Sequence, residues 1–374
     1  MFLAGTIIFA LIFFLGVLQL SPTGLFSANS ATEEVIKIGF IGPIGSIATD
    51  TGVPAMNGLI LANKQFPYAN GKRIELIFED DTYNPAVALS AAKKLVEVDN
   101  VQIIVSVGSA STLALLPYSN EKGFLLTTSI AASPKITGAG KYFFRLSSSS
   151  KVMASKAAKV AYEKGYRKVA FLYEAGDYST GWKDSFKNEL EALGGSVAIE
   201  EQLSGNAQDY KTNIEKIRNA DFDLLVVNVI TSQTSVNVLK ELHELGINKQ
   251  ILGNETFSYS NIVKANSTIS EGVLVSTYDY DLTKPETQEF SINYYKEFDY
   301  SEGAEVYAAL GYDLYNALRE GLIACGENPS CLKNFALTRG KTRGIAGEYT
   351  IDSNGNAERE VSLNIIQNET LLPQ

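Results

Sequence analysis

The chain has 374 residues, of which 45% are hydrophobic and 20% charged, and its formal net charge is −10. This length supports a substantial core, most simply in two lobes, and the composition argues against a disordered chain. We expect no nucleic-acid partner, because binding a polyanion requires clustered Lys and Arg side chains that displace counterions.

The N-terminal segment is apolar and uncharged. The first 32 residues carry no charged side chain, and Thr6 to Leu20 is almost wholly apolar. This length suits a signal-peptide core or a short transmembrane helix, and a signal peptidase could cut after small residues such as Ser30. We expect residues 1–31 to be a cleaved signal peptide, with a retained membrane anchor as the main alternative and a buried core helix as a weaker one. In both export cases the remainder lies outside the cytoplasm, in the periplasm or on the outer cell surface.

From Val35 onward, short apolar runs rich in Val, Ile and Phe alternate with helical patterns, which predicts parallel α/β layers. One helix has a clear start, because Asn84 is a good N-cap and Pro85 suits the first helical position. The predicted strands are Val35 to Phe40, Ile74 to Glu79, Gln102 to Val107, Phe124 to Thr128, Lys168 to Tyr173, Val197 to Gln202, Leu224 to Val229, Gln250 to Gly253 and Gly272 to Thr277.

The glycines that follow the first predicted strand raise the question of a nucleotide site. Dinucleotide-binding turns space their glycines as G-x-G-x-x-G, so that backbone N–H groups and a helix N-terminus meet the pyrophosphate. Here Gly39, Gly42 and Gly45 are spaced G-x-x-G-x-x-G, and Pro43 removes a backbone donor. With no helix predicted before about Pro54, we do not expect a nucleotide enzyme.

Catalytic motifs are missing from the sequence as well. There is no G-x-S-x-G, and His243 is the single histidine. The acidic run Glu79 to Asp81 could serve metal or acid–base chemistry, but acids at the end of a strand more often enter a turn or cap a helix. We therefore expect a protein that is not an enzyme and holds neither a metal nor a cofactor.

Two features stand out toward the C-terminus. Cys325 and Cys331 are the only cysteines, and in an exported chain a local disulfide is favoured over a pair of reduced thiols. Because its loop is short, such a bridge would stiffen a surface turn more than hold the fold together. Farther on, Gly347 to Ile366 predicts two strands around an Asn-Gly turn, forming an antiparallel hairpin.

Several segments, in their order and spacing, resemble the leucine/isoleucine/valine-binding family of type I periplasmic binding proteins, the solute receptors of branched-chain amino acid ABC importers. The resemblance covers nearly all of Val35 to Asn368. It is carried by IKIGFIGPIGSIATDTGVPAMNGLILA, ELIFEDDTYNPAVALSAAKKLV, VSVGSASTLALLPYSNEKGFLLTTSIAASPKIT, YFFRLSSSS, KVAFLYEAGDYSTGW and TRGIAGEYTIDSNGNAE.

The resemblance implies an α/β fold of two Rossmann-like lobes joined by three crossover strands, with a hinge that closes the lobes over a ligand. The crossovers would be the Ser-rich tract after Arg145, the neighbourhood of Tyr278 to Asp281, and about Thr342 to Gly347. Lobe 1 would then comprise residues 34–146 and 278–343, and lobe 2 residues 147–277 and 344–374.

The resemblance also implies where a ligand's α-carboxylate is held. Ser109 matches the family's hydroxyl donor, while Ile130 and Ala132 match its backbone contacts; Ala132 stands where a threonine is common, so one donor is lost. Hydroxyls and amides suit a carboxylate because they satisfy its lone pairs without adding a second full charge. From the residues alone, Ser109 fits equally well as part of a cap that opens a helix.

Three further positions match the ligand contacts of the second lobe. Tyr178 matches an aromatic residue that packs over the ligand, and Glu255 matches the acid that accepts the ammonium group, which favours amino acids over amides or simple acids. Thr231 matches a position that is aromatic in some members. On the first lobe, Ile47 to Thr49 in the loop after the first strand would supply walls of the pocket for the ligand's side chain. Without the resemblance, Tyr178 is typical of a surface packing residue and Glu255 of a solvated loop charge.

The sequence thus predicts a monomeric extracytoplasmic solute receptor. It would bind a small amino acid, branched-chain or similar, and deliver it to an ABC permease in the membrane. Two alternatives remain, a membrane-held ligand sensor of the same fold and a receptor for an amide or another small carboxylate.

Overall fold

The computed structural model of the protein describes residues 34–45, 48–205, 207, 209–264, 267–298 and 305–374. The apolar segment Thr6 to Leu20, Ser30 and Ile47 lie outside these residues. Within them, no helix combines the length and the apolar character needed to cross a membrane.

The first sheet has six strands and defines lobe 1. They are β1 (Val35–Gly42), β2 (Tyr68–Ala69), β3 (Lys72–Asp80), β4 (Ile103–Ser106), β5 (Leu125–Thr128) and β6 (Phe143–Arg145). Their spatial order is β2-β3-β1-β4-β5-β6, and every pair is parallel except β2 with β3.

The second sheet has seven strands and defines lobe 2. They are β7 (Lys168–Glu174), β8 (Ser196–Leu203), β9 (Leu224–Asn228), β10 (Gln250–Gly253), β11 (Leu274–Tyr278), β15 (Val361–Gln367) and β16 (Thr370–Pro373). Their order is β16-β15-β11-β10-β9-β7-β8, with β7 to β11 parallel and β15 and β16 antiparallel. A smaller antiparallel sheet contains β12 (Thr342–Gly344), β13 (Gly347–Ile351) and β14 (Ala357–Arg359).

Helices connect the parallel strands and cover the sheets. They are α1 (Thr49–Gln65), α2 (Pro85–Glu97), α3 (Ser109–Lys122), α4 (Ser150–Glu163), α5 (Asp177–Ala192), α6 (Lys211–Arg218), α7 (Ser232–Glu244), α8 (Ser260–Val263), α9 (Ser267–Ser270), α10 (Pro285–Glu297), α11 (Glu305–Cys325) and α12 (Pro329–Thr338). Short 3-10 turns span Pro134–Ile136 and Glu255–Ser258. The predicted start of α2 is confirmed, since Pro85 opens the helix and the Asn84 side chain accepts a hydrogen bond from Ala86 N.

The nine predicted strands are all present, each within two residues of its predicted ends. The central strands are apolar because both faces of each sheet are covered there. In lobe 1, Phe40 and Val105 belong to the cluster on one face and Ile41 and Ile104 to the cluster on the other. Fully burying one such side chain contributes about 1.5–3 kcal/mol relative to exposure, so this alternation fixes the register of the central strands.

Helices α1 and α11 pack closely on lobe 1. A Cβ atom added to Gly58 of α1 would lie 1.9 Å from the carbonyl oxygen of Ala308 in α11, so the contact requires glycine. Helix α1 begins at Thr49, whereas the sequence predicted no helix before about Pro54. The helix starts earlier because Thr51 and Gly52 both donate backbone hydrogen bonds to the carbonyl of Ala48, and Pro54 then lies within the helix.

The central strands of the two sheets follow one topology. In lobe 1, β1 lies between β3 and β4, and in lobe 2, β7 lies between β8 and β9. This is the doubly wound arrangement, in which ligands bind at the carboxyl ends of the strands, beside the point where the strand order reverses. The predicted fold class, two Rossmann-like lobes joined by crossover strands, is confirmed.

The chain passes between the sheets after β6, after β11 and between β14 and β15. The third of these passages ends at Val361, where the chain joins the second sheet. The β13–β14 hairpin packs on lobe 1, where Tyr349 and Ile351 join the core cluster. The predicted hairpin therefore forms, but its second strand is interrupted and continues as β15, paired with β11. The predicted third crossover at about Thr342 to Gly347 and the lobe boundaries at residues 146/147 and 343/344 stay predictions.

Cys325, the last residue of α11, and Cys331, in the first turn of α12, form a disulfide. Their Cα atoms are 5.6 Å apart, and the bridge closes the turn between these two consecutive helices.

Candidate functional site

A cavity lies between the carboxyl ends of the two sheets. It encloses about 410 Å³ of space not occupied by atoms, including the part that is open to solvent. The lining consists of residues that follow four strands of lobe 1 and three strands of lobe 2, in loops or in the first turns of helices. Tyr307, from the first turn of α11, completes it. The other lining residues are Thr51, Tyr83, Val107, Gly108, Ser109, Ile130, Ala131, Tyr178, Val229, Ile230, Glu255 and Thr256.

Glu255 places a buried carboxylate on the wall of this cavity. Its residue is only 6% exposed, and it opens the short 3-10 turn after β10. The Tyr178 hydroxyl lies 2.7 Å from Oε1 and 2.6 Å from Oε2, so its single proton is shared between the two oxygens. The side chain of Asn254 donates to the same hydroxyl at 3.3 Å, which orients the tyrosine.

The cavity contains an acidic side chain, Glu255, and its described lining has no cationic side chain beside it. Burial raises the pKa of Glu255, and hydrogen bonds from Tyr178, Tyr307 and Asn254 oppose that rise only in part. No residue that lines the cavity in the described part of the chain is Lys, Arg or His. The site therefore holds a carboxylate that a cationic group would stabilise.

Ser109 lines the cavity at the N-terminus of α3, where hydrogen-bond donors are available. It is the first residue of α3, and its Oγ accepts a hydrogen bond from Ser133 N at 3.1 Å. That bond uses a lone pair, so the hydroxyl proton remains able to donate. The N–H groups of a first helical turn have no partner inside the helix and carry partial positive charge, which suits an anion.

The loop after β5 differs in detail from the predicted carboxylate contact. The backbone N–H groups of Ile130 and Ala131 both donate to Thr128 Oγ1, at 3.3 and 3.1 Å. Ile130 and Ala131 line the cavity, whereas Ala132 does not; the carbonyl of Ala132 accepts a hydrogen bond from Ser150 N in the first crossover.

Thr231 also lies outside the cavity lining. It is the N-cap of α7, and its Oγ1 accepts a hydrogen bond from Thr234 N at 3.2 Å. The structure thus brings together Ser109, Ile130, Tyr178 and Glu255 of the six predicted ligand residues. In the first loop, Thr51 lines the cavity, while Thr49 begins α1.

The acidic run after β3 builds a turn. Asp80 Oδ1 accepts hydrogen bonds from the N–H groups of Ile44 and Thr82, and Asp81 Oδ1 accepts one from Tyr83. Across the described residues, no cluster of three or more His, Cys, Asp or Glu side chains is suited to hold a metal ion.

Polar contacts hold the lobes together across the cavity, in addition to the hydrogen bond between Tyr307 and Glu255. Asp50 of α1 is 6% exposed, and its Oδ2 accepts a hydrogen bond from Ser232 N, the first residue of α7, at 2.7 Å. Lys135 and Asp177 form a more exposed ion pair at 2.5 Å. The protein is therefore in a closed arrangement, with the cavity covered by both lobes.

Tyr83 and Tyr307 are the aromatic lining residues that sequence reasoning did not single out. Tyr307 lies in the first turn of a long helix, 52 residues after Glu255, where its pattern is typical of a core aromatic. Tyr83 comes two residues after the acidic run, and only its position after a strand end could have indicated a role in the cavity.

Known proteins resemble the chain over most of its length. A family model described as periplasmic binding protein matches residues 35–363. A leucine-, isoleucine-, valine-, threonine- and alanine-binding protein of Pseudomonas aeruginosa is 27% identical over 257 residues, which cover 67% of this chain and 68% of that protein.

Solved structures share the fold at lower identity. A leucine binding protein from Thermotoga maritima superposes with a TM-score of 0.83 at 23% identity, covering 91% of this chain and 97% of that chain. A solute binding protein of an ABC transporter from Rhodopseudomonas palustris, in complex with 3,4-dihydroxy benzoic acid, also has a TM-score of 0.83, at 22% identity, with 91% and 96% of the two chains covered. One architecture therefore serves ligands with and without an ammonium group.

Proposed function

Because the chain belongs to the periplasmic binding protein family, we propose that it captures a small amino acid between its two lobes and delivers it to an ABC importer. It is a solute-binding protein of the ABC transporter family, whose members are receptors and act outside the cytoplasm. The identity of the solute is the proposed part. One observation carries it, the buried carboxylate of Glu255 in a cavity whose described lining has no cationic side chain.

An ammonium group is the chemical match for this carboxylate. A buried, unpaired charge costs several kcal/mol, and a ligand that supplies the opposite charge removes that cost on binding. An ammonium group also offers the Glu255 carboxylate three hydrogen-bond donors, whereas the Tyr178 hydroxyl offers one. A benzoate, in contrast, would add a second anion beside Glu255, which is unfavourable unless one of the two is protonated.

The remaining lining fits the rest of an amino acid. The Ser109 hydroxyl and the first turn of α3 suit the α-carboxylate, because both present donors and the helix end is partially positive. Val107, Val229 and Ile230 provide apolar walls for a side chain that carries no charge. The combination favours a neutral, aliphatic amino acid over an amide, which lacks the carboxylate.

Calorimetry with the purified protein tests the proposal. The panel contains alanine, valine and leucine, the amides of these amino acids, the matching acids that lack the amino group, and 3,4-dihydroxybenzoate. We expect at least one amino acid to bind more tightly than its amide, its deaminated acid and the benzoate. Tighter binding of a deaminated acid or of the benzoate than of every amino acid would overturn the proposal.

The pH dependence of binding offers an independent prediction. Burial raises the pKa of Glu255 above its ordinary 4.5, and only the carboxylate form pairs with an ammonium. Affinity should therefore be constant above this raised pKa and fall by up to about tenfold per pH unit once the pH drops below it. Calorimetry between about pH 8 and pH 4 measures the effect. The decline should be missing in Glu255→Gln; an equal decline in that variant would contradict the assignment.

The contact between Asp50 and Ser232 N predicts a second effect, on lobe closure. Asp50→Ala removes a hydrogen-bond acceptor from the N-terminus of α7 in the closed form only. The population of the open form therefore increases, and the affinity for the amino acid should fall by about tenfold. Small-angle scattering should show a smaller compaction at a given amino-acid concentration. Asp177→Ala, which breaks the exposed pair with Lys135, is the matched control and should change affinity by less than about threefold. Equal affinities of Asp50→Ala and the unmodified protein would refute the role of this contact.

A further inference from the structure

The geometry points to Tyr83 as the residue that limits the length of the ligand's side chain, so that the receptor favours amino acids with short side chains such as alanine and valine. This inference rests on the proposed function, since it takes the ligand to be an amino acid. It adds a specificity-determining residue from lobe 1 to the contacts already described.

The backbone of Tyr83 has a conformation that few residues with a side chain adopt. Its φ is 57°, and the preceding Thr82 has a φ of 49°, so two consecutive residues other than glycine lie in the left-handed region. Such residues cost of order 1–3 kcal/mol each and persist where the surroundings hold them, often at ligand sites. The turn after β3 is therefore built to direct this side chain rather than merely to reverse the chain.

Two carboxylates hold the turn in place. Asp80 Oδ1 accepts from Thr82 N and Asp81 Oδ1 accepts from Tyr83 N, both at 2.9 Å. Asp81 is itself completely buried, and its Oδ2 accepts a hydrogen bond from Ser111 Oγ of α3 at 2.6 Å. The position of Tyr83 is thus tied to the same helix whose first turn faces the cavity.

The ring of Tyr83 lies against the start of α3. A Cβ atom added to Gly108 would lie 3.2 Å from the ring atom Cε2, and Gly108 has a φ of 90°. Glycine at this position lets the ring approach the backbone. Gly108 backs the ring on one side and the turn fixes the position of its backbone, so the ring forms a wall of the cavity.

The position of the Tyr83 ring in the cavity determines which part of the ligand it limits. With the α-carboxylate at Ser109 and the ammonium at Glu255, the apolar and aromatic lining left for a side chain includes Val107 and Tyr83 on one lobe and Val229 and Ile230 on the other. Longer side chains must overlap with the ring, while shorter ones leave it untouched. In an apolar pocket, one methylene too many or too few changes affinity roughly 10- to 200-fold.

Calorimetry with alanine, valine, leucine and phenylalanine tests the inference on the full-length protein and on Tyr83→Ala, Tyr83→Gly and Tyr83→Phe. The unmodified protein should bind alanine or valine more tightly than leucine and phenylalanine. Tyr83→Ala should shift the ratio of leucine to valine affinity at least about tenfold toward leucine, because the wall is removed. Tyr83→Phe keeps the ring and should keep the ratio.

Tyr83→Gly guards against a strained turn, because glycine adopts a positive φ without strain, and the melting temperature of each variant checks that it folds. Tyr83→Gly should shift the ratio as Tyr83→Ala does. An unchanged ratio in both variants, or binding of leucine as tight as that of valine in the unmodified protein, overturns the role of Tyr83 and leaves the proposed function standing. If the unmodified protein binds no amino acid, the proposed function fails and this inference fails with it.

Discussion

Replacing Glu255 with glutamine should lower the affinity for the preferred amino acid by roughly 100-fold, or about 3 kcal/mol. The amide has the same shape but no charge, so it cannot form a charge-assisted pair with an ammonium. Its NH₂ group would also face the ligand's own donors. Isothermal calorimetry of the variant and of the unmodified protein, in the pH range where the affinity of the unmodified protein is constant, measures the loss.

The same substitution should stabilise the protein without ligand. Because burial raises the pKa of Glu255, the charged carboxylate costs stability once the pH rises from the pKa of an unfolded glutamate, about 4.5, through the raised value in the folded protein. Above that raised pKa the cost is present in full, and Glu255→Gln removes it. Weaker binding together with a higher melting temperature would separate a ligand role from a folding defect.

Glu241→Gln is the matched control for this experiment. Glu241 is also 6% exposed, but it lies in α7 outside the cavity lining, and its Oε2 accepts a hydrogen bond from Tyr210 N at 2.7 Å. This variant should bind the amino acid with unchanged affinity. A comparable loss in both variants, or undiminished binding in Glu255→Gln, would show that Glu255 does not receive the ammonium.

Much of the fold could be predicted from the sequence because the central strands are buried on both faces. Burial makes each of them a short apolar run, and the runs alternate with helices long enough to show a period. Edge elements lack that signal: β2 spans Tyr68–Ala69 and β12 spans Thr342–Gly344, too short for a pattern to emerge. The packing of Tyr349 and Ile351 on lobe 1 is a tertiary contact, which a local pattern does not indicate either.

The candidate site could be predicted only in part because its residues come from loops far apart in the chain. Tyr178 and Glu255 are 77 positions apart and share a hydrogen bond that no local pattern indicates. The resemblance to a family supplied these positions, together with Ser109 and Ile130. It also supplied Ala132 and Thr231, whose hydrogen bonds serve the first crossover and the cap of α7. Tyr83 required the structure, because its role depends on backbone conformation rather than on residue type.

Replacing Arg359 with methionine should lower the free energy of unfolding by about 3–5 kcal/mol. Arg359 ends β14 immediately before the third crossover, and its side chain is 1% exposed. Its Nε donates to the carbonyl of Leu146 in the first crossover and its Nη1 to that of Ala346, both at 2.8 Å. Its Nη2 lies 3.4 Å from Oδ2 of Asp313 in α11.

One guanidinium thus ties two passages between the lobes to a helix of lobe 1. Methionine fills similar space but leaves two buried carbonyls and the Asp313 carboxylate without this partner, and buried groups of that kind are costly. The backbone N–H groups of Ile345 and Ala346 still reach Asp313, at 2.7 and 3.1 Å, which keeps the expected loss within that range. Urea denaturation followed by circular dichroism measures the change in stability.

Arg343→Met is the matched control for Arg359→Met. Arg343 lies in β12 of the same sheet, its side chain is 62% exposed, and it pairs with Glu286 at the surface, where ion pairs contribute little. The control should shift the urea midpoint only slightly. The double variant Arg359→Met/Asp313→Asn should lose less stability than the sum of its single variants, because the second change removes the carboxylate that the first leaves unpaired. Equal shifts for Arg359→Met and Arg343→Met, or strict additivity in the double variant, would show that Arg359 does not join the crossovers to α11, and the hinge would then have to be sought in the other crossover contacts.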